Sequence, residues 1–292
     1  MKSEPLVSIL ITAYNREKYI GAAIESVLMQ YYQNFELIIT DDKSTDNTMR
    51  IARMYEQSDN RIKVYENERN LGDYENRNRA ASYATGKYLK YLDADDLIYP
   101  HSLSIMVEAM ERFPEAALGM EEPFYDELRE PFPIIRQPEW IYKNHFLRKG
   151  VIYVGPSAAI IRSSTFKEFG GFSGARYIGD TELWLKIASK YPVVFFQPAL
   201  VFWRQHEEQE IVSENKNRET ILLRHRLNIR LINDATAPLT ITDKQKAIYK
   251  CNRRLLYNCM HLAFFQFNPA QSFSILRKSQ LSTKDIMRAI FH

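Results

Sequence analysis

Tyr88-Leu89-Lys90-Tyr91-Leu92-Asp93-Ala94-Asp95-Asp96 is an apolar run that ends in three carboxylates within four residues. The run reads as a buried strand, so the acids fall at its C-terminal end. Carboxylates this close repel one another unless something positive stands between them. Hard oxygen ligands on a rigid strand end suit Mg2+ or Mn2+, which usually keeps waters and completes its shell from substrate phosphates. Taken alone, the same residues also read as a solvated Asp-Asp turn ahead of Pro100.

Working outward, the first hundred residues alternate between two periods. Leu6 to Thr12, Phe35 to Thr40 and Ile62 to Tyr65 read as strands before the one at Tyr88. Between them, Ile20, Ala23, Ile24, Val27 and Leu28 follow the spacing of one helix face. Ser44-Thr45-Asp46-Asn47 offers N-cap residues for a second helix, a third is expected from Asp73 to about Thr85, and Pro100 suits the first turn of a fourth. Strand–helix alternation of this kind predicts an α/β fold, a mostly parallel sheet with helices on both faces. Ligands bind such sheets beyond the carboxyl ends of the strands. Four strand ends obey the rule with polar clusters: Thr12-Ala13-Tyr14-Asn15, Asp41-Asp42, Asn67 with Asn70, and Asp93-Ala94-Asp95.

Beyond this region the pattern weakens. Residues 114 to 150, with Pro123, Pro131, Pro133 and Pro138, read as irregular structure walling the site. Val151 to Arg162 reads as a strand region, Asp180 to Lys190 as a helix with Trp184 in its apolar stripe, and Val193 to Trp203 as one or two strands. From about Asn215 onward the patterns are helical, broken at Pro238 and Pro269. The expected division is a catalytic domain over 1–213 and a basic helical segment over 214–292.

The chain has 292 residues, 45% of them apolar, enough for a substantial core. Two cysteines, Cys251 and Cys259, give neither a disulfide framework nor a Cys-x-x-Cys metal pair, and Met1-Lys2-Ser3-Glu4 does not open an apolar leader. A cytoplasmic setting is expected. Net charge is +3, unevenly spread: residues 214–292 hold 14 Lys and Arg against 5 Asp and Glu, leaving residues 1–213 at −6. That asymmetry points the C-terminal segment toward an anionic membrane surface or a polyanionic acceptor, with a solvated helical face as the alternative.

Residues 5 to about 207 resemble the inverting glycosyltransferase family 2, which has the GT-A fold. The matching residues are Val7 to Asn15, Phe35 to Asp46, Asn70-Leu71-Gly72, Arg77-Asn78, Gly86-Lys87-Tyr88, Asp93-Ala94-Asp95-Asp96, Gly179 to Leu185 and Trp203-Arg204-Gln205-His206. The resemblance implies that Thr12, Ala13 and Tyr14 line the nucleoside pocket and Asp42 binds the base edge. It implies that Asn70 and Arg77 approach the nucleotide and its phosphates, that Asp93 and Asp95 form an Asp-x-Asp pair with Asp95 the more direct metal contact, and that His206 completes the metal–diphosphate environment. Asp180 becomes the catalytic base. Two departures stand out: Lys43 where the family usually has Gly, and Gly179 where it often has Glu.

The implied activity is metal-dependent transfer, with inversion, of a hexosyl or N-acetylhexosaminyl group. The donor is a nucleotide-diphosphate sugar, UDP-linked by expectation. The acceptor is a hydroxyl of a glycan or lipid-linked glycan in surface-polysaccharide synthesis; no nucleic-acid partner is expected. The residue types suit it. A divalent cation makes the diphosphate a better leaving group, Arg77 adds a fork-shaped phosphate contact, and an acceptor hydroxyl needs a positioned base. Each residue has a plainer role as well: Asp180 as the cap of its own helix, Asp41 and Asp42 as a turn, Tyr14 as packing, His206 as structural, and Arg77 as part of a solvated face. An aspartate-based phosphohydrolase and a non-catalytic sugar-nucleotide-binding protein remain the rival functions. A dinucleotide oxidoreductase is disfavoured, because no Gly-x-Gly-x-x-Gly follows the first strand.

Overall fold

The computed structural model describes residues 4–122, 130–206, 218–283 and 286–287. They divide into two compact units, one of residues 1–137 with 152–204, the other of 138–151 with 205–292.

The first unit is built on an eight-stranded sheet. Its parallel half contains β1 (Val7–Ala13), β2 (Phe35–Asp41), β3 (Ile62–Glu66) and β4 (Tyr88–Asp93), joined by helices α1 (Ile20–Leu28), α2 (Thr48–Ser58) and α3 (Asp73–Ser82). A short β5 (Leu97–Ile98) and helix α4 (Ser102–Arg112) follow. The sheet continues through β6 (Leu118–Glu121), β7 (Ile134–Arg136), β8 (Ala159–Arg162) and β9 (Val193–Phe196) in the order β3-β2-β1-β4-β8-β6-β9-β7. β8 is antiparallel to both β4 and β6, β9 is parallel to β6, and β7 is antiparallel to β9. A separate antiparallel pair joins β10 (Val201–Phe202) to β5. The mostly parallel α/β architecture expected from the alternation is therefore present.

Alternation along β1 explains the layering. Val7, Ile9, Ile11 and Ala13 enter one core with Ile20, Ile24 and Val27 of α1 and Leu103, Met106 and Met110 of α4. Leu10, also buried, points to the opposite face. Every residue of β1 except Thr12 is buried, as expected of a central parallel strand.

The stretch 114–150 was expected to be irregular, and this is corrected: it contributes β6, β7 and helix α5 (Pro138–Leu147). β6 has four residues and carries Gly119, where an added Cβ would meet Met110 Sδ at 2.9 Å. A strand that short, interrupted by a glycine that lets α4 approach, leaves no periodic signal. Pro123, part of that expectation, lies outside the described residues. Val151 to Arg162 holds a single 3-10 turn at Pro156–Ala158 before β8, and Val193 to Trp203 resolves into two strands, β9 and β10. Helices α6 (Ser163–Glu168) and α7 (Gly179–Ala188) complete the first unit.

The second unit is helical: α5 with α8 (Thr220–Asn233), α9 (Ile241–Phe264) and α10 (Pro269–Ser279). Lys250 donates to the Leu147 carbonyl and Lys143 pairs with Asp243, tying α5 to α9. Among the described residues no helix is long and apolar enough to cross a membrane.

Candidate active site

Sheet register brings the polar strand ends into one row. Thr12 of β1 lies opposite Thr40 of β2 on one side and Asp93 of β4 on the other, and Ala13 lies opposite Asp41. Just past that row the chain leaves β1 through Tyr14, 46% exposed, and Asn15. The Asp42 N–H donates to the Ala13 carbonyl (2.8 Å).

The second strand end is a scaffold of its own. Asp41 accepts from both the N–H (2.9 Å) and the hydroxyl (2.5 Å) of Ser44, whose Oγ accepts in turn from Asn15 N–H (2.9 Å). Burial raises the Asp41 carboxyl, and the Ser44 contacts oppose that shift. The tight turn places Lys43 at φ +66°, a left-handed conformation that favours glycine. This accounts for the family's usual Gly; here the lysine extends to Glu66 (2.8 Å).

Asp42 is buried, and its carboxylate is already engaged. Oδ1 accepts from Asn67 Nδ2 (2.8 Å) and Leu71 N–H (2.8 Å), and Oδ2 accepts from Gly72 N–H (2.9 Å). Asn70 donates to the Asp42 carbonyl (3.3 Å). Asp42 and Asn70 thus shape one loop together. A nucleobase would find one further lone pair on Asp42 Oδ2.

Arg77 of α3 is the hub between strand ends. It is buried, pairs through Nε with Asp73 Oδ1 (2.8 Å) and through Nη2 with Asp93 Oδ1 (2.7 Å), and its Nη1 has no hydrogen-bond partner among the described residues. Burial lowers its pKa, but the two carboxylates outweigh this and hold it well above the ordinary arginine value. The reading of Arg77 as a solvated helix face is therefore corrected: the position faces the sheet, and an arginine is buried there because two acids meet it.

Asp95 accepts from Arg16 Nε at 3.0 Å, and Arg16 Nη1 also donates to the carbonyls of Tyr14 and Asn15. Arg16 was not singled out in the sequence; it lies three residues past the strand end and gave no signal apart from its charge. Both acids of the Asp-x-Asp pair thus hold a guanidinium, which shows that the two carboxylates together attract cations. They are hard oxygen donors, and among the described residues no three His, Cys, Asp or Glu side chains gather into a metal cage. That donor set fits Mg2+ or Mn2+ completing its shell from substrate oxygens and water. His206 belongs to the second compact unit.

Beneath the acids lies a group that the strand reading absorbed into an apolar run. Lys90 is fully buried; its Nζ donates to the carbonyls of Tyr91 (2.9 Å) and Ser157. The Ser157 hydroxyl accepts from Asp93 N–H (2.9 Å). Burial lowers Lys90, opposed by the charges of Glu121, Asp93 and Asp96. Asp96, buried under the turn, accepts from Arg204 N–H (3.2 Å), and burial with the neighbouring Asp93 and Asp95 raises its carboxyl.

Asp180 opens α7 on the far side of the site. Its Oδ1 accepts from Thr181 N–H (2.6 Å), and its own N–H donates to the Tyr74 hydroxyl (3.2 Å). Burial raises its pKa, opposed by the Thr181 amide, the Arg77 charge and hydrogen bonding with Tyr74. A carboxylate raised toward neutrality is a better proton acceptor at working pH. Gly179 has a local reason: an added Cβ would lie 2.8 Å from the Tyr74 ring. The tyrosine therefore occupies the space in which the family's usual side chain would begin.

The profile of glycosyl transferase family 2 matches residues 8–170. The chain belongs to that family. EpsE of Bacillus subtilis (strain 168), described as a glycosyltransferase, is 33% identical over 192 residues, which are 64% of this chain and 68% of EpsE. WfgD of Escherichia coli, a UDP-Glc:alpha-D-GlcNAc-diphosphoundecaprenol beta-1,3-glucosyltransferase, is 43% identical over 105 residues, 36% of this chain and 41% of its own. The matched stretch thus spans less than half of WfgD. Among solved structures, the mannosyltransferase PcManGT of Pyrobaculum calidifontis, determined with GDP-Man and Mn2+, is 17% identical, covers 98% of this chain and 79% of its own, and superposes with a TM-score of 0.68. That likeness establishes the GT-A fold.

Proposed function

We infer that this family 2 protein transfers a sugar, with inversion, from a UDP-sugar to a hydroxyl of a glycan or lipid-linked glycan in surface-polysaccharide synthesis. Catalysis falls to residues 1–213, and the basic segment 214–292 serves acceptor or membrane contact at the cytoplasmic face. The observation that carries this reading is the cluster in which Arg77 pairs with Asp93 and also lends its charge to the half-buried Asp180 carboxyl. Phosphate recognition and base catalysis then share one hub. The UDP-Glc donor and diphosphoundecaprenol acceptor in the name of WfgD support the choice of substrates, and the Mn2+ bound with GDP-Man in PcManGT supports a divalent ion.

Within that reading, Asp93 and Asp95 would hold Mn2+ or Mg2+, which when bound neutralises charge on the departing diphosphate. Thr12, Ala13 and Tyr14 line the nucleoside pocket, with Tyr14 free to stack on the base. Asn70 and Asp42 fix the loop beside it. Arg77, held between Asp73 and Asp93, directs its positive charge toward the phosphates. Asp180 takes the proton of the acceptor hydroxyl as that oxygen bonds to the anomeric carbon and the nucleoside diphosphate departs. Base catalysis of this kind contributes roughly 10²–10⁴-fold.

The test is a thermal-shift panel of nucleoside diphosphates and nucleotide sugars with and without Mn2+, followed by turnover of Asp180→Asn. The expected result is stabilisation by one nucleotide, strengthened by metal and lost in Asp95→Ala, with Asp180→Asn keeping donor affinity while losing about 10²–10⁴-fold in transfer. No shift with any nucleotide, or full transfer by Asp180→Asn, would overturn the reading.

A further inference from the structure

The second unit carries an exposed apolar surface. Helix α9 buries Ala247, Cys251, Leu255, Cys259 and Leu262, and the last three join Leu222 and Ile275 in an apolar core. The opposite face of such a helix is normally polar. Here Tyr257, Met260 and Phe264 run along it at spacings of three and four, all exposed. Phe265 and Phe267 continue through the link to α10, and Phe273 follows in that helix. Phe264, Phe265, Phe267 and Phe273 are 70–87% exposed. Single exposed apolar residues are ordinary, but four phenylalanines within ten residues of one helix–helix link mark a contact surface.

The surrounding charge selects the partner. Residues 244–284 contain eight Lys and Arg and no Asp or Glu. Lys278 pairs with Glu219, the residue that precedes α8. Arg253, Arg254 and Arg277 are exposed. Arg253 shares the face of Tyr257, Met260 and Phe264 and stands about 16 Å back from Phe264 along α9. Arg277 lies one turn beyond Phe273 on α10. The aromatics thus gather at the link, and the cations stand one to three turns behind them.

We propose that this face docks on an anionic lipid surface, with the four phenylalanines in the headgroup–acyl boundary and Arg253 and Arg277 among the lipid phosphates. The inference rests on the membrane-side part of the proposed function and replaces a charge imbalance with a named surface. Amphipathic elements of this kind bury their apolar side about 5–10 Å below the headgroups, and each cation near an anionic leaflet strengthens binding about fivefold. A second copy of the chain is the poorer occupant, because it would bring the same cations with no carboxylate from this segment to meet them.

Co-sedimentation of the full chain with phosphatidylglycerol or phosphatidylcholine vesicles, without nucleotide, tests the proposal. The wild type pellets with phosphatidylglycerol and much less with phosphatidylcholine. Phe264→Ser/Phe265→Ser/Phe267→Ser abolishes pelleting while leaving the unfolding temperature and the nucleotide thermal shift unchanged. Arg253→Glu/Arg277→Glu weakens phosphatidylglycerol binding by at least about 30-fold. Should the triple variant misfold, Phe267→Trp gives an independent reading: its added emission is quenched by lipids brominated on the acyl chains. A wild type that stays in solution with phosphatidylglycerol, pelleting untouched by the triple variant, or an unquenched Trp at position 267 would each overturn the proposal. Concentration-dependent self-association lost in the triple variant, without vesicle binding, would assign the face to a second copy. Vesicle binding without nucleotide binding would count against the transferase reading alone.

Discussion

The two halves of the main sheet are assembled by different rules. In the parallel half, β1 to β4, each strand follows its predecessor through one helix; β2 and β3 lie beside their predecessors, and β4 crosses back to pair with β1. In the mixed half, β8 comes late in the chain yet sits between β4 and β6, and β9 separates β6 from β7. The parallel half supplies Thr12, Tyr14, Asp42, Arg77 and Asp93. The mixed half supplies the groups that fix or answer them: Glu121 at the end of β6, Ser157 ahead of β8, and Asp180 after it. Chain order presents the binding groups, and long-range pairing positions them.

Lys90 is where the halves depend on each other most. Its ammonium on β4 donates to the Ser157 carbonyl and offsets Glu121 and Asp96. Removing one partner of a buried charge group typically costs about 3–5 kcal/mol. Lys90→Met is therefore expected to lower unfolding free energy by that amount in urea titration. Lys90→Met/Glu121→Gln should recover part of it, because the second change removes a carboxyl left without its counter-charge. An additive double variant would show that β4 and β6 are electrostatically independent at this point.

Gly179 tests the contact between α7 and α3. Restoring the family's acid as Gly179→Glu forces a Cβ into the Tyr74 ring, 2.8 Å away. Overpacking of this kind costs about 1–3 kcal/mol. Gly179→Ala should show most of the same loss in thermal unfolding, which would assign it to sterics and not to charge. In the background Tyr74→Ala the Gly179→Ala penalty should vanish.

These residues also show what the sequence made legible. β1, β2 and β4 appear within a residue or two of their read boundaries, because apolar runs bounded by helices leave a local signal. The roles of Arg77 and Lys90 do not. Arg77 sits in Arg77-Asn78-Arg79, which looks solvated until Asp73 and Asp93 are seen on either side of it. Lys90 interrupts its apolar run by one residue, and its partners Glu121 and Ser157 lie 31 and 67 positions away. Likewise the reason for Gly179 is a tyrosine more than a hundred residues upstream. Periodicity reports an element's own faces; it is silent on which distant side chain fills the space beside them.

A smaller effect concerns proton uptake across the same contact. The Asp180 carboxyl is raised by burial, so the acid limb of kcat/KM is expected above the ordinary aspartate range. Hydrogen bonding with Tyr74 favours the ionised carboxylate and opposes that shift. Tyr74→Phe removes the opposition. The carboxyl should then rise further and the acid limb move to higher pH, with the alkaline limb unmoved. A limb that moves down, or stays put, would break the link between α3 and the base.

The smallest expected effect lies wholly inside the parallel half, at Lys43. A non-glycine residue at φ +66° carries about 1 kcal/mol of strain or more, which Lys43→Gly relieves. Against that, glycine gives the unfolded chain more freedom to lose, roughly 0.5–1 kcal/mol. The Lys43–Glu66 pair that disappears is exposed on both sides and contributes little. The terms nearly cancel, so Lys43→Gly should change unfolding free energy by less than about 1 kcal/mol. Lys43→Ala is the sharper measurement, because it keeps the strained backbone and removes only the ion pair. If Ala is as stable as Lys while Gly is more stable, the turn after β2 is governed by backbone geometry, and the family's preference for glycine there follows from conformation alone. If Ala is less stable than both, the Glu66 contact is what retains a lysine at a glycine position. In either case the loss stays far below that of Lys90→Met, because the Lys43–Glu66 pair is open to water on both sides whereas Lys90 is fully buried.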